Sequence, residues 1–432
     1  MLLDLQQGKR QSFELPISKL GLSGILALSA SPWLRSFGPE GAAAAGGLQN
    51  VGHPAKSPTL PPPDLAALAE GFAIEGPVQA VQPLGNGNVN TTYLVTDAGD
   101  SHYVLQRLNS QVFQQPQLVM ANLLVLVRHG QARLAAGGLE AGRRWLLPQP
   151  LPTLGGQADL ELAESYCLRQ GSELWRMLTF VDRARSFDTV QNIAHATEVG
   201  RALGTFHWLI HDLPLEKLAD TLEGFHITPG YLSSYLQFVQ TSKFDCCKDS
   251  KFCMEFVASR QHRVGILEQA KEKGLLIQRP INGDPKVNND MIDEVSGQAV
   301  ALVDLDTVKP GLVHYDIGDC LRSGCNPAGE EYISLNDVYF DLDLCSAMLS
   351  GYLPLARPFL TPVDIEYLYD AIWLITFELG LRFFSDYLAG NIYFKCQHAR
   401  QNLDRTLGQF RLLESIEAQE KEIRGIVKSL CR

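Results

Sequence analysis

The chain has 432 residues, 45% of them hydrophobic, so we expect a globular protein with room for two or more packed parts. Its formal net charge of −11 argues against a nucleic-acid partner, and no apolar run reaches the ~18 residues that a membrane span needs. Nine cysteines without metal-ligand spacing favour a reducing, cytoplasmic setting.

The first 63 residues differ in composition from the rest. They contain an almost pure run of alanine and glycine and the proline-rich stretch 57–63. Such segments bury little apolar surface, so we predict a disordered, low-complexity extension over residues 1–63. A secretory signal around residues 20–30 is the alternative, and the acidic residues Asp4 and Glu14 before it count against it.

Residues 64–181 are predicted to form a small lobe built on strands. A short helix follows Asp64, and strands are predicted at 78–81, within 84–95 and at 103–108. The turn after the first strand permits positive φ and lets backbone N–H groups approach phosphates; it contains Gly85, Asn86, Gly87 and Asn88. Alone, this turn is typical of any hairpin. Its position upstream of the carboxylate loop described below favours nucleotide binding.

The third strand of this lobe ends in Gln106 and Arg107, where a kinase carries a phosphate-binding lysine. Strand alternation lets only one of these two side chains face the nucleotide. Charge favours Arg107 weakly, whereas the usual position of the lysine favours Gln106. The helix predicted next, at 116–129, lacks the glutamate that pairs with that lysine in kinases. The residues that would bind the phosphates therefore differ from the lysine and glutamate of a typical kinase.

Residues 166–181 form a predicted hairpin whose second strand runs into Asp182. In two-lobed kinases such a strand leads into the hinge that hydrogen-bonds adenine. Thr179 and Val181 are therefore candidate nucleotide-binding residues, although an inner strand of the small sheet is an equally good interpretation. We place the start of the second lobe, residues 182–432, at this point.

One stretch of loop, strand, turn and strand carries the chemistry. Asn289 follows Asp284 by five positions, and Asp304 lies at the end of the apolar run 299–303. This spacing is typical of a kinase catalytic loop followed by a metal-binding loop. We predict Asp284 as the base that accepts a hydroxyl proton, and Asn289 and Asp304 as ligands of Mg²⁺. Lys286 is predicted to place positive charge near the transferred phosphoryl group.

Helices are predicted for most of the second lobe. Apolar residues recur at helical spacing after Thr189, and further helices are predicted at 231–240, at 254–274 and from 361 to 432. Asp316 lies just inside a predicted helix start, where its side chain is expected to cap backbone N–H groups. Bracing of the catalytic loop is the alternative role for Asp316.

In one C-terminal helix, Glu378, Arg382 and Asp386 are spaced to share a face. The same helix is rich in aromatic residues, so we expect this face to line a cleft rather than open water. Arg382 is the candidate for binding the acceptor's hydroxyl groups or the product phosphate. Asp386 and His226 are further candidate substrate residues.

Seven stretches together resemble the aminoglycoside phosphotransferase/choline kinase superfamily over about residues 75–415. They are LGNGNVNTTYLV, YVLQRLNSQVFQQPQLVMANL, LWRMLTFV, GFHITPG, NGDPKVNN, VDLDTVKPGLVHYDIGDCLRSG and ELGLRFFSDYLAGNIYFK. Within that superfamily the chain looks most like the N-acetylhexosamine 1-kinases.

The resemblance implies an α+β, two-lobed protein-kinase-like fold, with a small antiparallel-sheet lobe, a mostly helical lobe and the nucleotide between them. It implies the roles given above for Asp284, Asn289 and Asp304, and it makes the glutamine and arginine in place of lysine usual for this branch. Two positions depart from the family pattern. Asn282 stands where the loop generally begins with histidine, and Ala121 stands where this branch often has glutamate.

The sequence thus predicts an ATP- and Mg²⁺-dependent phosphotransferase of small molecules. The favoured acceptor is the anomeric hydroxyl of a hexose or N-acetylhexosamine. Two alternatives stay open, namely a kinase of an amino alcohol such as homoserine or choline, and a nucleotide-binding pseudokinase with a regulatory role. We expect no nucleic-acid or membrane partner, and the sequence leaves the oligomeric state open.

Overall fold

The computed structural model describes residues 64–85, 89–155, 163–241 and 247–431. The predicted N-terminal extension lies outside these ranges, and so do Asn86, Gly87 and Asn88 of the predicted phosphate-binding turn.

A five-stranded antiparallel sheet forms the small lobe, in the spatial order β1-β2-β3-β5-β4. The strands are β1 Val78–Pro83, β2 Thr91–Asp97, β3 His102–Leu108, β4 Leu168–Gln170 and β5 Glu173–Thr179. Two helices accompany the sheet, α1 Leu65–Glu70 and α2 Pro116–Ala135. Helix α1 begins where predicted, because the Asp64 side chain accepts hydrogen bonds from the first free N–H groups of the helix.

Strand alternation divides the sheet into two faces. Leu105, Trp175 and Met177 pack on one face, in a core shared with α1. The alternate residues of β3 and β5, among them Gln106 and Arg176, lie on the other face, toward α2 and the second lobe. The register pairs Gln106 directly with Arg176, so these two side chains are neighbours.

The second lobe is mostly helical. Its helices are α3 Ile193–Ile210, α4 Thr228–Thr241, α5 Lys248–Arg260, α6 Ile266–Glu272, α7 Val313–Gly324, α8 Leu342–Ala356, α9 Pro362–Glu366, α10 Leu368–Ala389, α11 Gln401–Ala418 and α12 Glu420–Leu430. Its short strands are β6 Ala184–Arg185, β7 Arg279–Ile281, β8 Asp290–Asp293, β9 Ala299–Leu302 and β10 Lys309–Gly311, paired as β6-β8-β9 and β7-β10. This architecture confirms the predicted α+β fold with a sheet lobe and a helical lobe.

Glycines allow the central helices to approach closely. A Cβ atom added at Gly200 of α3 would lie 1.8 Å from the backbone oxygen of Met348 in α8, and one at Gly351 would lie 2.0 Å from the oxygen of Thr197. Any larger side chain at either glycine would force the two helices apart. Helices α3 and α8 are therefore held in close contact.

The single helix predicted over 254–274 is wrong. Helix α5 ends at Arg260, a 3₁₀ turn covers 261–263, and α6 begins after Gly265. Glycine lowers helix stability, so Gly265 indicates the break between the two helices. The apolar residues on either side continue at helical spacing, which is why a single helix was predicted. None of the described helices is both long and apolar enough to cross a lipid bilayer.

Candidate active site

A cleft of about 610 Å³ separates the sheet of the small lobe from the second lobe. Its walls bring together residues that are far apart in the chain. Those that the site uses are Gly85, Asn90, Gln106, Arg176, Thr179, Val181, Asp284, Lys286, Asn289, Asp304 and Asp306.

The loop after β7 carries Asp284, and a buried carboxylate holds that loop in place. Asp316 of α7 accepts hydrogen bonds from the backbone N–H groups of Asn282, at 2.6 Å, and Gly283, at 2.8 Å. His207 of α3 contacts the same carboxylate at 2.8 Å. The expected helix-capping role of Asp316 is therefore wrong, and the alternative of bracing the catalytic loop is confirmed.

His226 also holds the loop that carries Asp284 in place. His226 donates a hydrogen bond from Nε2 to the backbone oxygen of Gly283 at 2.7 Å, and its Nδ1 lies 2.9 Å from a carboxylate oxygen of Glu378. Burial lowers the pKa of His226, but the carboxylate of Glu378 outweighs it and raises the pKa above its usual value. Both ring nitrogens are thus occupied. His226 also lines the smaller cavity described below, so its predicted contact with a substrate stays a prediction beside its role in positioning the loop.

Asn282, which stands where the family pattern has histidine, helps to fix the conformation of this loop. It is fully buried, and its side-chain oxygen accepts the backbone N–H of Asp284 at 3.0 Å. Gly283 has a φ of +93°, and a Cβ there would lie 2.7 Å from the backbone oxygen of Thr307. Only glycine adopts this conformation in such confined space without strain, so the sharp turn that presents Asp284 depends on it.

Asp284 and Lys286 form a pair at the inner end of the cleft. The Lys286 ammonium lies 2.9 Å from Oδ2 of Asp284. Burial raises the pKa of Asp284, and the lysine opposes that shift only in part. The pKa of Lys286 is raised too, because the attraction of Asp284 exceeds the effect of burial. A carboxylate with a raised pKa is a stronger base, as proton abstraction from a hydroxyl requires.

Asn289 and Asp304 face the same part of the cleft. The side-chain nitrogen of Asn289 donates to the backbone oxygen of Asp284 at 2.9 Å, which turns its side-chain oxygen away from that bond and leaves it for other contacts. Burial, together with the neighbouring carboxylates Asp306 and Asp284, raises the pKa of Asp304 to about 7. These oxygen donors with excess negative charge fit a hard divalent cation such as Mg²⁺.

The phosphate-binding side of the cleft differs from the sequence prediction. Gln106 lines the cleft, whereas Arg107 lies on the opposite face, 42% exposed and paired with Glu173. This corrects the weak preference for Arg107. Arg176, missed in the sequence, lies beside Gln106 and is 1% exposed. A charged residue inside the apolar strand LWRMLT was the signal for it.

The predicted hinge lies where β5 enters the second lobe. The backbone N–H of Thr179 is used within the protein, since it donates to Gln149 at 2.9 Å. Val181 is buried against the cleft and makes no backbone hydrogen bond to the residues that the structure describes. A buried, unpaired N–H and C=O are costly unless a ligand satisfies them. The hinge position therefore offers a donor and an acceptor for the edge of a flat heterocycle.

A smaller cavity of about 160 Å³ adjoins the cleft, and Asp284 and Lys286 line both. Arg382 of α10 points into this cavity, with its guanidinium carbon 5.1 Å from the ring centre of Phe225 and 5.6 Å from that of Phe394. Its Nε is buried without a hydrogen-bond partner among the described residues. The predicted location of Arg382 in a cleft agrees with this geometry.

Two acidic residues near this cavity, Asp386 and Asp319, differ in whether they face it. Asp386 is buried beneath the loop that follows α10 and accepts backbone N–H groups of Ile392, Tyr393 and Phe394 at 2.8–2.9 Å. This corrects its prediction as a substrate residue, because it shapes the loop instead. Asp319 of α7, missed in the sequence, lines the cavity, and its Oδ2 is buried without a hydrogen-bond partner among the described residues.

A model of the phosphotransferase enzyme family, abbreviated APH, matches residues 80–339 of the chain. The matched region contains the sheet of the small lobe, the cleft and the loop that carries Asp284, Asn289 and Asp304. It ends before α10, the helix that carries Arg382.

Three solved structures have a similar fold over nearly their whole length. A microcompartment-associated aminopropanol kinase has a TM-score of 0.53 at 14% identity, with 83% of this chain and 98% of that chain covered. Choline kinase from Cryptosporidium parvum Iowa II has a TM-score of 0.52 at 12% identity, covering 85% and 99%. Spectinomycin phosphotransferase in complex with ADP and spectinomycin has a TM-score of 0.50 at 12% identity, covering 83% and 98%. At these identities the likeness shows the fold alone.

Proposed function

The chain belongs to the phosphotransferase enzyme family, and from that premise we propose that it transfers the γ-phosphoryl group of ATP, with Mg²⁺, to a hydroxyl group of a small molecule. The family match confirms the predicted enzyme class. The nucleotide, the metal and the acceptor are proposals that rest on the geometry of the cleft and of the smaller cavity beside it.

One observation carries the proposal: Asp284 and Lys286 line both cavities. A nucleotide in the larger cleft and an acceptor in the smaller cavity would therefore meet at the same carboxylate and ammonium. Holding two reactants in contact at a catalytic group is the main requirement of phosphoryl transfer, which depends on positioning and charge stabilisation. No other side chain with a titratable proton lines both cavities among the described residues.

The roles of the residues follow from their positions. Val181 offers its backbone groups to adenine, and Gly85 lines the cleft, where its backbone is available to the phosphates. Asp284 takes the proton of the acceptor hydroxyl while the oxygen of that hydroxyl forms a bond to the γ-phosphorus. The bond between the γ-phosphorus and the β,γ-bridging oxygen breaks at the same time, and ADP is released. Lys286 stabilises negative charge on the transferred group.

Asn289 and Asp304 would hold Mg²⁺ in this site. The ion supplies positive charge that neutralises the phosphate oxygens and orients them for in-line transfer. Burial and the neighbouring carboxylates Asp306 and Asp284 raise the pKa of Asp304, and this concentration of negative charge is what a divalent cation would neutralise. Asn289 and Asp304 lie on adjacent backbone segments. The backbone N–H of Val303 donates to the backbone oxygen of Asn289, and this bond keeps the two candidate metal ligands close.

The smaller cavity supports a small acceptor. Its volume of about 160 Å³ is below the range of roughly 300–1,000 Å³ for sites of drug-sized ligands. Arg382 has no carboxylate within ion-pair distance among the described residues. The cavity is lined by acidic and basic side chains in equal number, among them Asp319 and Glu330 beside Arg382 and Arg405. The choice of a neutral polyol over an amino alcohol therefore rests on the pairing of an unsatisfied donor with an unsatisfied acceptor.

Two unpaired groups in the cavity match the hydroxyl groups of a sugar. Nε of Arg382 is a donor and Oδ2 of Asp319 is an acceptor, and both are buried without partners among the described residues. A sugar hydroxyl both donates and accepts hydrogen bonds, so it can satisfy both groups. We therefore propose a hexose or N-acetylhexosamine acceptor, with its anomeric hydroxyl at Asp284, in line with the likeness to N-acetylhexosamine 1-kinases.

A panel of acceptors with coupled detection of ADP tests the proposal. The panel contains hexoses, N-acetylhexosamines, their 1-deoxy or 1-O-methyl derivatives, choline, ethanolamine and homoserine. We expect ADP release with one or more free sugars, none with derivatives blocked at the anomeric position, and none from an Asp304→Asn control purified in the same way. Release with amino alcohols alone would overturn the sugar assignment. Absence of release with every acceptor would favour the pseudokinase alternative.

A further inference from the structure

Arg176 is a buried guanidinium in the wall of the cleft. Its Nε and Nη2 donate to the side-chain oxygen of Gln106 at 3.0 and 2.7 Å, and Nη2 lies 2.6 Å from Oδ1 of Asp306. Asp306 is 2% exposed, so the two charges compensate each other away from water. The side-chain nitrogen of Asn90, just after the turn that begins at Gly85, contacts the other oxygen of Asp306 at 2.7 Å.

The guanidinium lines the cleft and keeps unused hydrogen-bonding capacity. Arginine has five N–H donors. Nη1 has only the sulfur of Met120 at 3.8 Å as a partner among the described residues, and a thioether is a weak acceptor. The ion pair with Asp306 is also poorly aligned as a hydrogen bond, because Oδ1 of Asp306 makes none to the described residues. Arg176 can therefore bind further oxygens without losing Gln106.

The position of Arg176 matches the place of the missing lysine. Gln106 and Arg176 are directly paired across β3 and β5 and lie on the face toward the cleft. A kinase uses a lysine on the third strand and a glutamate on the next helix. Here α2 contributes the uncharged Met120, and the carboxylate comes from Asp306 instead. In this chain the cation, Arg176, lies on β5 instead of β3. Its carboxylate partner, Asp306, lies in the candidate metal-binding loop instead of on the next helix.

The other cations of the cleft are already accounted for. Among the described residues that line it, the positively charged ones are Arg176, Arg185 and Lys286. Lys286 is paired with Asp284, and Arg185 is exposed and lies over the ring of Phe187. A nucleotide brings several negative charges to a cleft that is already lined by four carboxylates, Asp188, Asp284, Asp304 and Asp306. Arg176, although paired with Asp306, is the buried cation on the sheet side of the described cleft, and its Nη1 has no strong acceptor, so it can offset part of this charge while Lys286 faces the transferred group.

We propose that Arg176 binds the phosphate groups of the nucleotide and that Asp306 positions it for this task. This inference rests on the proposed function, since it assigns a residue to the nucleotide site. It also links two parts of the machinery, because Asp306 lies two residues after the metal-ligand candidate Asp304. The ion pair between Arg176 and Asp306 thereby joins the proposed phosphate-binding residue to the candidate metal-binding loop.

Binding of ADP and of adenosine, measured by calorimetry in Mg²⁺ buffer, tests the assignment. The variants are Arg176→Gln and Arg176→Lys, with Arg107→Gln on the opposite face of the sheet as the matched control. We expect Arg176→Gln to weaken ADP binding about ten- to a hundredfold while adenosine binding stays unchanged, since a hydrogen bond to a charged group is lost. Arg176→Lys retains charge and should fall in between. Arg107→Gln should match the parent.

An unchanged ratio of ADP to adenosine affinity in Arg176→Gln would overturn the assignment, because a purely structural arginine affects both ligands alike. If that variant fails to unfold cooperatively, the double variant Arg176→Gln/Asp306→Asn removes both buried charges and is measured instead, with the same two outcomes. Failure of the parent protein to bind ADP would be a different result: it would remove the proposed function, and the assignment with it.

Discussion

Replacing Asp316 with asparagine should loosen the loop that carries Asp284 without changing the chemistry of any group proposed to touch the reactants. The carboxylate is fully buried and accepts three contacts, from the backbone N–H groups of Asn282 and Gly283 and from His207. Asparagine has the same shape but only one oxygen. In either orientation, its NH₂ group faces a buried donor that the carboxylate had satisfied.

The cost follows from the contacts that are lost. With the remaining oxygen placed toward Asn282 and His207, the N–H of Gly283 loses a charge-assisted hydrogen bond of 2.8 Å and stays buried without an acceptor. Such a loss is worth about 2–4 kcal/mol of the free energy of unfolding. Because Gly283 immediately precedes Asp284, the displaced loop should also lower kcat by about a hundredfold, as expected for a shift of roughly 1 Å.

Urea unfolding and coupled ADP release, measured on the same preparations, give both quantities. His207→Gln is the matched control, since glutamine can still donate to the carboxylate and both backbone hydrogen bonds remain; it should lose less than half as much stability. If Asp316→Asn unfolds at the parent's urea concentration and turns over at the parent's rate, the carboxylate does not hold the loop, and the bracing described above is incorrect.

Three further outcomes are expected. Arg382→Gln should raise KM for the acceptor about ten- to a hundredfold and leave KM for ATP unchanged, because a charge-assisted hydrogen bond to the acceptor is lost; equal effects on both KM values would contradict the acceptor site. The raised pKa of His226 means that its pair with Glu378 stabilises the fold fully below about pH 6.5 and less as pH rises through the folded pKa. The urea midpoint should therefore fall as pH rises above about 6.5 and fall less in Glu378→Gln; parallel profiles would exclude the pair. Gly283→Ala should destabilise the protein by at least about 1–3 kcal/mol in urea, since alanine is strained at positive φ and its Cβ would meet the oxygen of Thr307; a parent-like midpoint would show that the turn relaxes.

The meeting of Asp284, Asn289 and Asp304 in one cleft could be predicted because their spacing along the chain is local. Asp284 and Asn289 lie on the loop before β8, and Asp304 follows β9 of the same hairpin, so short distances along the chain keep the three residues close in space. The sheet was predictable for a similar reason, since alternation and turn residues are local signals. The identity of the fold follows from these local patterns and from the order in which they occur.

The residues that were missed or misassigned act over long separations in the chain. Arg176 meets Asp306 across 130 positions, and Asp316 reaches back to the loop at Asn282. No periodicity indicates such pairs. Asp386 shares a helix face with Arg382, yet the loop after the helix folds over the carboxylate and removes it from the cavity. Helical spacing predicts a common face, but only tertiary packing decides which part of that face a ligand can reach.

The most direct test of the central claim is single-turnover transfer of the γ-phosphoryl group from ATP to an acceptor found by the panel, in the parent and in Asp284→Asn. We expect the variant to bind ADP as the parent does and to transfer phosphate at least about a hundredfold more slowly, since it lacks the base at the junction of the two cavities. Transfer at the parent's rate by an Asp284→Asn protein with normal ADP affinity would contradict the assignment of this carboxylate and of the site built around it.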